Sequence, residues 1–155
     1  MPLDDKETST MVRSDGTYAS LPLKKDTISI AIAQTRVNGV DGKNPAKDIK
    51  NNLDYMLECI DIAQGYGGRS DLICFHEFPI VGFSNWSRED HYRIAIEVPG
   101  PETEEIGKKC QDYGCYIVFG TYAKDPDWPD HILHLMVLMD PDGNVIAKHW
   151  KQRNV

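Results

Sequence analysis

The sequence lacks any apolar run of the roughly 20 residues that a membrane span needs. Its first seven residues, MPLDDKE, contain no apolar segment of the kind that forms a secretory signal. We therefore expect a cytoplasmic protein with no membrane partner.

The sequence also lacks a cluster of lysine and arginine, and its formal net charge is −7. A surface that binds duplex nucleic acid needs a basic patch, so we expect no nucleic-acid partner. The four cysteines contain no CxxC pair, and their spacing fits no common zinc site. We expect them to be free thiols: Cys59, Cys74, Cys110 and Cys115.

The chain has 155 residues, of which 41% are hydrophobic, and this is enough for one domain with a real core. Residues 1–26 are polar and without periodicity, so they predict a flexible arm ahead of a domain over 27–155. The β-branched segment TISIAIAQ, residues 27–34, predicts a short buried strand. Asn44 and Pro45 are typical of a helix start, and apolar residues at helical spacing continue to Gly65.

Alternation of strands and helices continues beyond that helix. DLICF, residues 71–75, predicts a second strand, 102–113 a second helix, and YIVFG, residues 116–120, a third strand. Right-handed crossovers would make these strands parallel, which is typical of the α/β class. Residues 132–139 and 145–151 predict a hairpin closed by a Pro-Asp-Gly turn.

Two side chains have positions suited to chemistry. Glu77 follows a buried strand, where α/β proteins bind ligands, and packing against Phe75, Phe78 and Pro79 would partly desolvate its carboxylate. Lys151 ends the return strand, on one face with Val145, Ala147 and His149 as strict alternation places them. Its ammonium could stabilise an oxyanion. The plainer alternatives are a surface glutamate at a loop start and a lysine at a frayed strand end.

Four segments together resemble the nitrilase superfamily of carbon–nitrogen hydrolases. TISIAIAQ is similar to its first strand, DLICFHEFPIVGF to its glutamate motif and DPDGNVIAKHWKQ to its lysine motif. VPGPETEEI is similar to a stretch of the aliphatic-amidase-like branch. Glu77 and Lys151 are 74 residues apart, which lies in the family's usual range.

The resemblance implies a four-layer αββα sandwich, a homo-oligomer and no metal or organic cofactor. It implies a Cys nucleophile that attacks an amide or nitrile carbon, with Glu77 as the base and Lys151 as the oxyanion stabiliser. A small aliphatic amide is the expected substrate, hydrolysed to a carboxylic acid and ammonia. Nitriles, carbamoyl compounds and acyl transfer to an amine remain alternatives.

The chain departs from the family on the C-terminal side of Lys151. The family's nucleophilic Cys lies well downstream, whereas the sequence continues for only four residues. We therefore expect an N-terminal half of the sandwich, inactive alone, with an uncovered apolar sheet face. A second hypothesis is an interaction subunit that uses this face. His134 stands where the family often has Asn; His131 and His134 as a metal pair are disfavoured, because strand residues three apart face opposite sides.

Overall fold

The computed structural model describes residues 25–66 and 68–152. The arm predicted for residues 1–26 lies outside these ranges except for its last two residues, of which Lys25 forms an ion pair with Asp71. The described elements are, in chain order, β1 (Ile30–Ala33), α1 (Ala46–Gly65), β2 (Leu72–Phe75), α2 (Arg88–Ile94), β3 (Ile96–Glu97), α3 (Pro101–Tyr113), β4 (Tyr116–Lys124), β5 (Leu133–Met139) and β6 (Val145–Trp150).

The strands form one mixed sheet in the order β1-β2-β4-β5-β6, with β3 paired to the end of β4. β1, β2 and β4 are parallel, as the alternation of strands and helices predicts, and the fold is α/β. β5 and β6 form the predicted antiparallel hairpin. Its turn is closed by a hydrogen bond of 3.0 Å from the Gly143 amide to the Asp140 carbonyl, and Gly143 has the positive φ of 84° that favours glycine.

Two helices cover one face of this sheet. The apolar stripe of α1 buries Leu53, Met56 and Ile60, and α3 buries Ile106 and Cys110 beside it. Strand residues that point to the same side complete the core, which includes Ile73, Phe75, Ile117, Phe119, Val137 and Met139. Within the described ranges, no helix combines the length and the apolar composition that crossing a membrane requires.

The opposite face of the sheet is open in the described residues. Ile30 and Ile32 on β1 are 50% and 82% exposed, and Tyr116 on β4 is 41% exposed. The uncovered apolar face expected from the sequence is thus present. The prediction of a buried strand over 27–34 was wrong in burial and in length, because β1 spans four residues at the sheet edge and has a helix on one side only.

The predicted face of β6 also needs correction. Met139 pairs with Val145, but the next residue along β5, Leu138, pairs with Ala147, so the ladder contains a bulge at Ile146. A bulge sets two residues opposite one and reverses the alternation beyond it. Val145 consequently packs against the core and does not share a face with Ala147.

Other boundaries differ modestly from the sequence predictions. α1 begins at Ala46 after Pro45 without a side-chain cap, and the backbone amide of Asn44 donates to the Asp41 carbonyl at 3.1 Å in the turn before it. β4 extends to Lys124, four residues beyond its predicted end. α2 and β3 were not predicted, although both lie beside the end of β4 that carries the candidate site.

Ile60 and Ile62 lie on opposite faces of α1, one buried and one exposed, and this predicts a sharp contrast in the stability cost of truncating them. Ile60→Ala should lower the free energy of unfolding by about 2–5 kcal/mol, because Ile60 is fully buried and truncation leaves a cavity. The matched change Ile62→Ala, at a position 58% exposed on the same helix, should cost about 0.5 kcal/mol or less. Urea unfolding measures both, and equal losses would contradict the helix orientation.

Candidate active site

Glu77 lies on a turn immediately after β2, and β4 supports that turn from below. The Gly120 amide donates a hydrogen bond of 3.1 Å to the His76 carbonyl. A Cβ on residue 120 would lie 2.4 Å from the Glu77 carbonyl oxygen and 2.6 Å from its Cα, which no side chain could tolerate without movement. The backbone of Glu77 therefore reaches its position because residue 120 is glycine.

The imidazole of His76 fixes the same turn from the other side. The Phe78 amide donates to His76 Nδ1 at 3.1 Å, so the ring proton is on Nε2, which lies 2.9 Å from the Thr35 hydroxyl oxygen. Burial lowers the pKa of His76 below its ordinary value and favours this neutral form. His76 thus ties the Glu77 turn to the segment that follows β1.

Lys151 approaches Glu77 from the β6 edge of the sheet. The Lys151 amide donates to the His134 carbonyl at 2.9 Å, which continues the β5–β6 pairing one residue beyond β6. Its Nζ donates to Glu77 Oε1 at 2.8 Å. The structure therefore brings together the two residues singled out from the sequence motifs.

The expected desolvation of Glu77 is not observed. The Glu77 side chain is 45% exposed, and that of Lys151 is 41% exposed. Phe75 points to the helix-covered face and belongs to the core, so it does not shield the carboxylate. In the described residues the Lys151 ammonium balances the charge of the Glu77 carboxylate. The sequence had instead predicted apolar neighbours that would partly desolvate this carboxylate.

His134 is the third polar side chain at this point. Its Nε2 lies 3.0 Å from Glu77 Oε1, and its ring stacks on Phe78 with a centroid distance of 5.0 Å. Burial lowers the pKa of His134; the Glu77 carboxylate opposes this effect, and the Lys151 ammonium adds to it. The lowered pKa of His134 favours its neutral form, so the cation that balances Glu77 is Lys151.

The two histidines considered as a metal pair have different surroundings. His131 packs edge-on against Trp128 in the loop before β5, with a centroid distance of 5.7 Å, whereas His134 contacts Glu77. In residues 25–66 and 68–152, no three His, Cys, Asp or Glu side chains are grouped as a metal site would need.

A cleft of about 840 Å³ opens above these groups. Phe78, Phe83, Tyr122 and Trp150 give its walls an aromatic part, and α2 contributes Arg88 and His91 to one side. The lining residues are Glu77, Phe78, Phe83, Arg88, His91, Tyr122, Ile132, Leu133, His134, Trp150 and Lys151. Sequence reasoning missed α2, although Ser87 followed by Asp90 three residues later is a helix-start signal, and Ser87 Oγ does accept the Asp90 amide at 3.1 Å.

The cysteines of the described ranges do not provide an activated thiolate beside Glu77. Burial raises the pKa of Cys110 to about 12 and also raises the pKa values of Cys59 and Cys115. Cys74 lies within β2, paired with Val118, and not at the strand end where Glu77 sits. All four are free thiols, as expected.

Comparison with known proteins identifies the family. The profile described as carbon–nitrogen hydrolase matches residues 29–154. The chain belongs to the carbon–nitrogen hydrolase family. The sequence is 31% identical over 107 residues to a formamidase of Bacillus cereus (strain B4264) and 29% identical to one of Bacillus thuringiensis (strain Al Hakam). Each match covers 67% of this chain but only 31% of the relative, so the chain spans about a third of their length.

Two solved structures share the fold. An N-terminal amidase with a Gln-Gly peptide matches with a TM-score of 0.67 at 17% identity, and the C. elegans NitFhit protein with 0.64 at 17%. Both matches cover 83% of this chain and 28% of the other. The family match confirms the predicted membership of the nitrilase superfamily of carbon–nitrogen hydrolases, and the structural matches confirm the α/β fold.

The close approach at Gly120 predicts a large effect of one methyl group. Gly120→Ala should lower the free energy of unfolding by about 1–3 kcal/mol, because the Glu77 turn must move away from the new Cβ. Gly39→Ala is the control, since nothing lies within 4 Å of a Cβ there. Chemical denaturation compares the two, and a neutral Gly120→Ala would mean that the turn does not rest on β4.

The surroundings of His134 predict that its pKa shifts in opposite directions when one or the other neighbouring charge is removed. Lys151→Met removes a cation that lowers the His134 pKa, so that pKa should rise. Glu77→Gln removes the carboxylate that raises it, so the pKa should fall further. Titration of the His134 ring protons by NMR measures both shifts. Shifts in the same direction, or none, would contradict the three-residue contact.

Proposed function

We propose that the protein hydrolyses a small aliphatic amide to a carboxylic acid and ammonia. The observation that carries this proposal is the contact of 2.8 Å between Lys151 Nζ and Glu77 Oε1 at the base of an aromatic cleft. Family membership supports hydrolysis of a carbon–nitrogen bond in general. The formamidase relatives favour an amide over a nitrile or a carbamoyl compound.

In this proposal Glu77 is the general base and Lys151 stabilises the oxyanion. A Cys thiol attacks the amide carbon while its proton moves to Glu77, and the C–O group becomes an oxyanion beside the Lys151 ammonium. The C–N bond then breaks as the proton passes to nitrogen, and ammonia leaves. Water gives a proton to Glu77 and attacks the thioester, which releases the acid and restores the thiol.

The nucleophilic Cys is proposed to come from a part of the protein outside this sequence. Cys59, Cys110 and Cys115 have raised pKa values, and Cys74 lies within a strand. The same segment would cover the open face of the sheet at Ile30 and Ile32. Assembly into a homo-oligomer and a cytoplasmic location belong to the proposal as well.

The proposal predicts that both charged groups are required. In the natural full-length protein, Glu77→Gln should lower the rate of ammonia release by about 10²–10⁴-fold and Lys151→Met by about 10²–10³-fold. Controls with the same change of charge are Glu58→Gln and Lys47→Met on the exposed surface of α1. Released ammonia measured over a panel of aliphatic amides tests this.

One outcome favours the second candidate, an interaction subunit. The open face carries Ile30, Ile32 and Tyr116, which are 50%, 82% and 41% exposed, and such a face suits a protein partner. A natural protein that releases no ammonia from any amide, nitrile or ureido acid would contradict the hydrolase. Loss of a bound second chain on Ile32→Glu would then support the interaction role.

A further inference from the structure

The cleft contains a cation that the proposed chemistry does not use. Arg88 and His91 lie three residues apart on α2, so both side chains project from one face of this short helix into the cleft. His91 packs edge-on against Tyr122 with a centroid distance of 5.3 Å. Arg88 is thereby presented in the same cavity as Glu77 and Lys151.

The carboxylates next to Arg88 in the sequence are engaged elsewhere. Arg93 forms ion pairs with Glu89, at 2.7 Å, and with Asp90. Asp90 also accepts a hydrogen bond of 2.8 Å from the Ser87 hydroxyl. In the part of the chain that the structure describes, no carboxylate oxygen lies within 4.0 Å of the Arg88 guanidinium.

A backbone carbonyl holds Arg88 in place and leaves its charge unbalanced. Its Nη2 donates to the Asp130 carbonyl at 2.8 Å. Asp130 has a φ of 64°, a conformation that a non-glycine residue seldom adopts. A carbonyl has only a partial charge, and one hydrogen bond leaves the other guanidinium donors free for an acceptor.

The charges that line the cleft do not cancel. Glu77 and Lys151 neutralise each other at 2.8 Å, and Arg88 remains as a net positive charge in a protein of net charge −7. A guanidinium presents parallel N–H groups that match the two oxygens of a carboxylate. The intervening aromatic walls suit a short apolar chain.

We propose that Arg88 binds a carboxylate at the far end of the amide substrate, so that the substrate is the monoamide of a short dicarboxylic acid. This inference rests on the proposed amide hydrolysis and narrows its substrate class. The amide end lies at Glu77 and Lys151, and the carboxylate end at Arg88. A one-carbon amide, as named for the formamidase relatives, would leave Arg88 without a ligand.

The first test measures binding without catalysis. Succinate, the product of succinamate hydrolysis, should bind the full-length protein, and Arg88→Gln should weaken this binding about tenfold. Arg88→Lys should weaken it less, because a lysine retains the charge without the paired donors. Arg69→Gln is the control with the same change of charge, at an exposed arginine outside the cleft. Calorimetric or NMR titration gives each dissociation constant.

The second test measures selectivity between two amides of one skeleton. Succinamate and succinamide differ in a single terminal group, a carboxylate against an amide. Arg88→Gln should lower the ratio of kcat/KM for succinamate to kcat/KM for succinamide about tenfold, mainly through a higher KM for succinamate. Arg69→Gln should leave this ratio as in the wild type. A general structural defect would instead lower kcat for both amides and leave the ratio unchanged.

The outcomes separate this inference from the hydrolase proposal. Arg88-dependent binding of succinate in a protein that hydrolyses no amide would keep the carboxylate site and reject the hydrolase. If the wild type and Arg88→Gln each hydrolyse succinamide and succinamate with equal kcat/KM, the carboxylate site is rejected and the hydrolase is kept. Succinate that binds wild type and Arg88→Gln equally would also overturn the role of Arg88.

Discussion

The ion pair between Glu77 and Lys151 is the contact on which the candidate site depends. Glu77 follows β2 and Lys151 follows β6, and β4 and β5 lie between these two strands in the sheet. A contact of 2.8 Å across that span requires the correct order, register and twist of four strands. Because both groups are about half exposed, the pair adds little stability, and its value lies in where it places the two charges.

Local devices hold each partner in position. The Glu77 turn rests on Gly120, whose missing side chain allows the close approach, and the ring of His76 ties the turn to the segment after β1. On the other strand, the bulge at Ile146 resets the alternation before Lys151. Gly120 lies on β4, His76 directly precedes Glu77 and Ile146 lies on β6, and each of them determines where a charge lies. The site is therefore a property of the sheet and not of two motifs alone.

The sequence was informative where the signals are local. Glu77 after an apolar strand, Lys151 after a Pro-Asp-Gly turn, and the alternation of strands and helices all appear within short windows. The bulge at Ile146 has no such signal, because strict alternation is the default expectation for a strand. The environment of Glu77 was misjudged, since desolvation depends on tertiary packing: neighbours in sequence, such as Phe75, point to the other side of the sheet. α2 was overlooked because seven residues give too little periodicity, although Ser87 and Asp90 mark its start.

The chain spans about a third of the length of its formamidase relatives. Under the proposed function, Glu77 and Lys151 flank the carbon of an amide during covalent catalysis. The most direct measurement is the intact mass of the full-length protein, quenched in acid during turnover of an amide. We expect an adduct heavier than the free protein by the amide minus ammonia, and its loss in the variants Glu77→Gln and Lys151→Met. Hydrolysis of the amide without any adduct, or an adduct that forms in both variants as it does in the wild type, would contradict these roles for the two residues.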